Sequence, residues 1–145
     1  MISKVHKTAA IVAFLCLVSF WTLSLITEIN ADKAFFGFVR TYIFYTMFVM
    51  IAAIIITAVT GFKIAKKMRG PIIENKKKRM PFIGLNGAIV LLPLAIILFM
   101  YSNETILKGQ EGMVDTLRLI ELIFGAINII LISLNIKDGL KLKRK

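Results

Sequence analysis

Arg118, Glu121, Gly125, Asn128, Ile132 and Asn135 follow one another at intervals of 3, 4, 3, 4 and 3 residues. On an α-helix that alternation brings all six to one face. A guanidinium, a carboxylate and two carboxamides in one column suit either of two purposes. They can hydrogen-bond to neighbouring helices, with Gly125 permitting close approach, or they can line a polar pathway or ligand groove. The segment around them, from about Val114 to Ile136, is otherwise apolar. Hydrocarbon penalises a polar face, so this one is expected to turn toward the interior of a helix bundle.

A second set of charges belongs with the first. Arg40 lies five residues into another apolar run that starts at Phe35, or ~8 Å along a helix axis. Arg118 and Glu121 stand at a comparable depth from their own end, and Glu28 closes the first run on the same side. Buried charges are normally paired, so Glu121 is expected to pair with Arg40 or Arg118. If each boundary moves inward by one turn, the same charges fall among lipid headgroups, where arginine snorkels at little cost. A structural ion-pair network and a functional site both remain open. Asn86, Asn128 and Asn135 complete the candidate polar cluster of Glu28, Arg40, Arg118 and Glu121.

Other chemistry is thinly represented. The one histidine, His6, precedes the first apolar run, so a bis-histidine haem site within one chain is excluded. His6 itself reads as a solvated or interfacial side chain, or as a single axial ligand or pH-sensitive group. The one cysteine, Cys16, sits in an apolar run and reads as a small buried hydrophobe; it excludes an internal disulfide or a multi-cysteine metal site. No GxxxxGK[ST], GxGxxG or HExxH pattern occurs, and no carboxylate pair lies at mid-membrane depth. The expectation is a protein with no catalytic residue, metal or cofactor.

These side chains must be held by something, and composition says what. The chain of 145 residues is 58% hydrophobic, with a mean hydropathy of +0.81. Four apolar runs dominate it, at residues 8–27, 35–62, 82–102 and 114–136. Crossing a hydrocarbon core of about 30 Å takes about 20 helical residues, which every run supplies. Backbone groups in lipid must be satisfied internally, so the runs read as helices. The alternating polar residues of a membrane β-barrel are missing. The fold class read from this is all-α, a four-helix transmembrane bundle in a single domain. The first run is basic at its start and small-residue at Ile29-Asn30-Ala31, which leaves a cleaved signal peptide open. Its length favours a retained helix.

Charge gives the runs a direction. Nineteen Lys and Arg oppose eight Asp and Glu, and they lie in blocks between uncharged runs. That layout differs from the interleaved basic surface of a nucleic-acid binder, so no nucleic acid is expected. Lys4 and Lys7 precede the first run. The connection 63–81 carries Lys63, Lys66, Lys67, Arg69, Lys76, Lys77, Lys78 and Arg79 against Glu74. Lys137, Lys141, Lys143, Arg144 and Lys145 follow the last run. The other two connections are poor in basic residues. Because Lys and Arg stay in the cytoplasm, both termini and the middle connection are expected inside. The basic face also suits anionic lipid headgroups, at about 1 kcal/mol per residue near the surface.

Smaller signals refine the elements. The second helix is expected to continue to about Arg69, where Gly70-Pro71 stops it, and Gly139 to end the last one. Pro93 is expected to bend the third run. Trp21, Tyr42, Tyr45 and Tyr101 fall toward the outer ends, as an interfacial aromatic belt does. Ala53, Thr57 and Gly61, and Gly84, Gly87 and Ala88, form small-residue patches for packing within the bundle or between subunits.

Three stretches, FWTLSLITE, KKRMPFIGLNG and LIELIFGAINIILISLNIKDGLKL, together resemble a group of small, uncharacterised four-helix inner-membrane proteins of bacteria. The resemblance implies a bacterial cytoplasmic-membrane location and brings no activity. Three functions compete: an accessory or assembly subunit of a membrane complex, a small homo-oligomeric transporter or channel, and an electron-transfer subunit linked to haem or quinone. The partners expected are the bilayer, its anionic headgroups, and another membrane protein or further copies of the chain.

Overall fold

The computed structural model describes residues 1–30, 32–66 and 68–142. Four spans are long and apolar enough to cross a membrane: Ile2–Asn30, Lys33–Ala65, Pro71–Ser102 and Glu111–Lys141. The first and second are the continuous helices α1 (Ile2–Asn30) and α2 (Lys33–Ala65). The third is composite: α3 (Pro71–Leu85), a π-helical turn (Asn86–Leu91) and α4 (Leu92–Ser102). The fourth is α5 (Glu111–Leu142). The described residues contain no strand.

Each helix buries a narrow stripe and leaves the rest apolar and outward, as a helix surrounded by lipid does. On α1 the buried residues are Ala9, Ala13, Leu17, Phe20, Ser24 and Thr27, one turn apart, while Ile11 and Leu15 face out. Asp32 starts α2 by accepting the Ala34 N–H at 2.9 Å, a cap for a helix-start donor. The short connection folds α1 and α2 into an antiparallel hairpin with the largest helix–helix interface in the molecule. Phe20, Val39, Ile43, Met47 and Ala95 form the core where α4 joins that hairpin. Phe44 and Phe99 stack nearby, their ring centroids 4.0 Å apart.

Several element boundaries differ from the sequence reading. α1 begins at Ile2, so Lys4, His6 and Lys7 ride on a helix. α2 ends at Ala65 with Lys66 as its cap, short of Arg69. The chain then turns at Gly70, whose φ of 128° is open to glycine. Residues 71–81 of the basic connection are helical and belong to α3, with Pro81 inside the helix. Pro93 disrupts its span by widening it. The Leu92 N–H reaches five residues back to Gly87 O, beside a proline that has no N–H to offer. α5 runs through Gly139 to Leu142. The flexible end of Lys76 on α3 reaches to 3.1 Å from where a Cβ would stand at Gly139. Ala31, Lys67, Lys143, Arg144 and Lys145 lie outside the described residues, and with them the possible cleavage site and part of the basic tail.

Candidate functional site

The inward face of α5 meets the other three spans at three levels. At the level nearest the α1–α2 connection, Arg40 Nη1 donates to both oxygens of Glu121, at 2.9 and 2.7 Å. The Arg40 side chain is 0% exposed and that of Glu121 12%. Arg118 Nε lies 2.6 Å from Glu28 Oε1, although its N–H is not aligned on that oxygen. Arg118 also donates to Asp115, at 3.2 Å, and toward Thr27 O, at 3.4 Å. Phe36 joins the two pairs. The Arg40 guanidinium carbon is 4.9 Å from its ring centroid and that of Arg118 5.0 Å, both within cation–π range. Helical spacing explains half of this, because Phe36 and Arg40 are four residues apart on α2 and share a face. The Nε and Nη2 groups of Arg40 are buried without a partner. Two of the three nitrogens of a fully buried guanidinium are thus unsatisfied, a costly arrangement inside a bundle.

The middle level is where small residues matter. Trp21 crosses from α1 onto Gly125, where a Cβ would stand 2.9 Å from the indole Cδ1. The indole N–H donates to Leu122 O at 2.9 Å. A cavity of about 50 Å³ lies against this contact, walled by Phe20, Ile43, Met47 and Leu91, with Glu121 and Trp21 on its boundary. Farther along α5, Asn128 is buried and faces Gly87 of the π-helical turn, whose absent Cβ would lie 3.8 Å from its side-chain nitrogen. Asn86, also in that turn, donates to Phe124 O at 2.9 Å. The side-chain oxygens of Asn86 and Asn128 are buried without partners.

The third level is the basic end. Arg79 of α3 donates to Asn135 at 3.2 Å and to Asp138 at 2.7 Å. His6 of α1 sets its Nδ1 3.0 Å from Thr60 Oγ1 and 3.1 Å from Thr57 O on α2. Gly61, with a Cβ position 3.1 Å from the His6 ring and 3.2 Å from Met80, lets α1 and α3 close on α2. His6 therefore acts as a helix-to-helix tie and is half buried, not a solvated side chain.

All seven residues of the candidate polar cluster take part in these contacts, though not in one site. Glu28, Arg40, Arg118 and Glu121 gather at the first level, Asn86 and Asn128 at the second, and Asn135 alone at the third. Sequence reasoning missed Phe36, Arg79 and Asp138 as partners. The four-residue spacing of Phe36 and Arg40 was available. So was the position of Asp138, one turn beyond Asn135 on the same face. It placed Trp21 in the interfacial belt with Tyr42 and Tyr45. Both tyrosines are exposed, but the indole points inward because Gly125 makes room for it. The Ala53–Thr57–Gly61 stripe packs inside the bundle, whereas Gly84 has nothing near its Cβ position. Among the described residues no three His, Cys, Asp or Glu side chains group as a metal site requires. No protein-family model, curated protein or solved structure matches the chain.

Proposed function

We propose that this chain is a multi-pass protein of the bacterial cytoplasmic membrane, with both ends inside, that works as a non-catalytic accessory or assembly subunit of a membrane complex. One observation carries the reading. Polar groups toward both ends of the inward face of α5 are engaged by residues of the bundle itself: Glu121 by Arg40, Arg118 by Glu28 and Asn135 by Arg79. They bind the four spans to one another and leave a broad apolar exterior, from Phe38 and Phe48 on α2 to Ile130 on α5, for lipid or a partner's helices. The orientation rests on charge. The start of α1, the end of α2, the start of α3 and the end of α5 meet at one end of the bundle and bring most of the lysines with them. Lysine-rich segments stay in the cytoplasm and there face anionic headgroups.

Affinity capture from native membranes tests the function. A partner held at fixed stoichiometry supports it, and a chain that purifies alone overturns it. Orientation is tested by single cysteines in place of Lys78 and Lys108, in a Cys16→Ser background. In intact cells an impermeant thiol reagent is expected to label only the cysteine at position 108. A small homo-oligomeric transporter is the second reading, favoured by the cavity beside Glu121. Solute flux in proteoliposomes that is lost in Glu121→Gln distinguishes it.

A further inference from the structure

The lysines of the basic end are not alike. Among those described, Lys76 is partly buried and the others stand exposed. Its Nζ lies 3.1 Å from the Cβ position of Gly139 on α5, and its charge reaches the His6 ring of α1, as does that of Lys7. Lys76 is four residues before Met80, so it shares a face of α3 with the side chain that closes on Gly61 of α2. The other charges that act on it are Arg79 and Asp138, and Asp138 is held by Arg79 at 2.7 Å. Among the described residues Lys76 itself forms no ion pair within 4.0 Å. Its unpartnered nitrogen is not fully buried, so a ligand can reach it from the surface. An ammonium that gives up part of its water without gaining an anion is costly. Like charges nearby add to that cost, and an anion from outside the chain would offset it.

We infer that Lys76 is the centre of a discrete site for one anionic phospholipid, lodged where α1, α3 and α5 meet at the basic end of the bundle. Apolar neighbours identify the anion as a lipid. Val5, Phe62 and Leu140 adjoin His6, Gly61 and Gly139 in sequence and are all exposed. A soluble phosphate leaves them bare, whereas a phospholipid sets its phosphate oxygens on the Lys76 ammonium and its acyl chains on such side chains. The headgroup carries net negative charge, because the exposed lysines around the site attract anionic lipid and repel the cationic group of a zwitterionic one. The site deepens the headgroup contact proposed above and rests on the reading of the chain as a membrane protein, not on its role in assembly. It differs from a diffuse basic surface in two respects: one lipid is held, and one lysine matters more than neighbours of equal charge.

Two measurements on the full chain test this. In the first, native mass spectrometry from nonionic micelles doped with equal phosphatidylglycerol and phosphatidylcholine counts bound lipids. One phosphatidylglycerol is expected to bind at least tenfold more tightly than phosphatidylcholine. Lys76→Gln should weaken it at least tenfold, and Lys77→Gln, the same charge change on an exposed neighbour, no more than threefold. Equal losses in the two variants mean a diffuse basic surface and overturn the inference, as does equal binding of the two lipids. A large excess of inorganic phosphate should leave the lipid in place; displacement marks a site for a soluble anion and overturns the lipid assignment. The second measurement needs no variant and decides the matter if Lys76→Gln fails to fold. When phosphatidylglycerol replaces phosphatidylcholine, amide exchange in the wild-type chain should slow at least threefold at the start of α3 and the end of α5. Exchange at the α1–α2 connection should not change. Equal rates in both lipids, or uniform slowing at both ends of the bundle, overturn the inference. Binding in micelles does not depend on which way the chain crosses a membrane or on a partner, so its failure is distinct from failure of the orientation or capture tests.

Discussion

Removing one charge at a time from the Arg40–Glu121 pair should unbalance the bundle in two different ways. The Arg40 side chain is 0% exposed and Glu121 12%, so neither has water to fall back on. Losing one member of a buried pair costs about 3–5 kcal/mol, because the other is left charged and unpaired. At about 1.4 kcal/mol per tenfold, that is roughly a 10²–10⁴-fold loss in the folding equilibrium. Glu121→Gln strands the guanidinium, which cannot shed its proton, and its Nε and Nη2 groups are already unmet. Its cost should be independent of pH between about pH 5 and 8. Arg40→Met keeps the stem volume and strands the carboxylate instead. The double variant Arg40→Met/Glu121→Gln removes both charges and should recover most of the loss. Reversible unfolding in mixed micelles, followed by helicity at pH 5 and pH 8, measures all four corners of the cycle. Single variants that cost under 1 kcal/mol, or a double variant no better than Glu121→Gln, would refute a structural role for the pair.

Other perturbations are smaller and local. Gly125→Ala must shift the indole, since the new Cβ would stand 2.9 Å from Trp21 Cδ1. A loss of about 1–3 kcal/mol is expected, with a change in the emission maximum of this single tryptophan. Phe36→Leu removes the ring shared by Arg40 and Arg118 and should cost about 1–2 kcal/mol. Combined with Glu121→Gln it should be non-additive in a double-mutant cycle. Arg79→Ala breaks a partly exposed tie and should change global stability by no more than about 1 kcal/mol, yet speed amide exchange at the start of α3. His6→Ala should cost about 1 kcal/mol through the lost bond to α2, seen as faster exchange in the first two turns of α1.

The number of spans was legible in the sequence because bilayer thickness and helical rise leave one solution for an apolar run of 20 residues. The column on α5 was legible because a 3-4 spacing fixes a face wherever the helix packs. Glu28, Arg40, Arg118 and Glu121 could be brought to a common depth by counting residues from the run ends. These are one-dimensional quantities: length, period and depth. Helix ends were less legible. Gly139 reads as a stop in isolation, yet α5 continues through it where α3 packs alongside. Gly70-Pro71 reads as a stop for the second helix and 63–81 as a connection, yet α3 begins at Pro71 and contains Pro81.

What the tertiary structure decided is rotation and partner. Glu121 had two arginines in reach by depth, and Arg118 was nearer in sequence. Arg40 takes it because α2 turns that face into the core beside Val39 and Ile43, while Arg118 sits opposite Glu28 at the end of α1. Trp21 lay at the right depth for an interfacial belt, and only the groove at Gly125 draws it inward. The π-helical turn is likewise a three-dimensional outcome. Pro93 announces a fault, but the widened turn sets Gly87 against Asn128 only in the folded chain. A helix carries its period in its own backbone, whereas its orientation about its axis is fixed by the side chains of other helices. The polar face on α5 was therefore written in the sequence, and the side chains it meets were settled by packing.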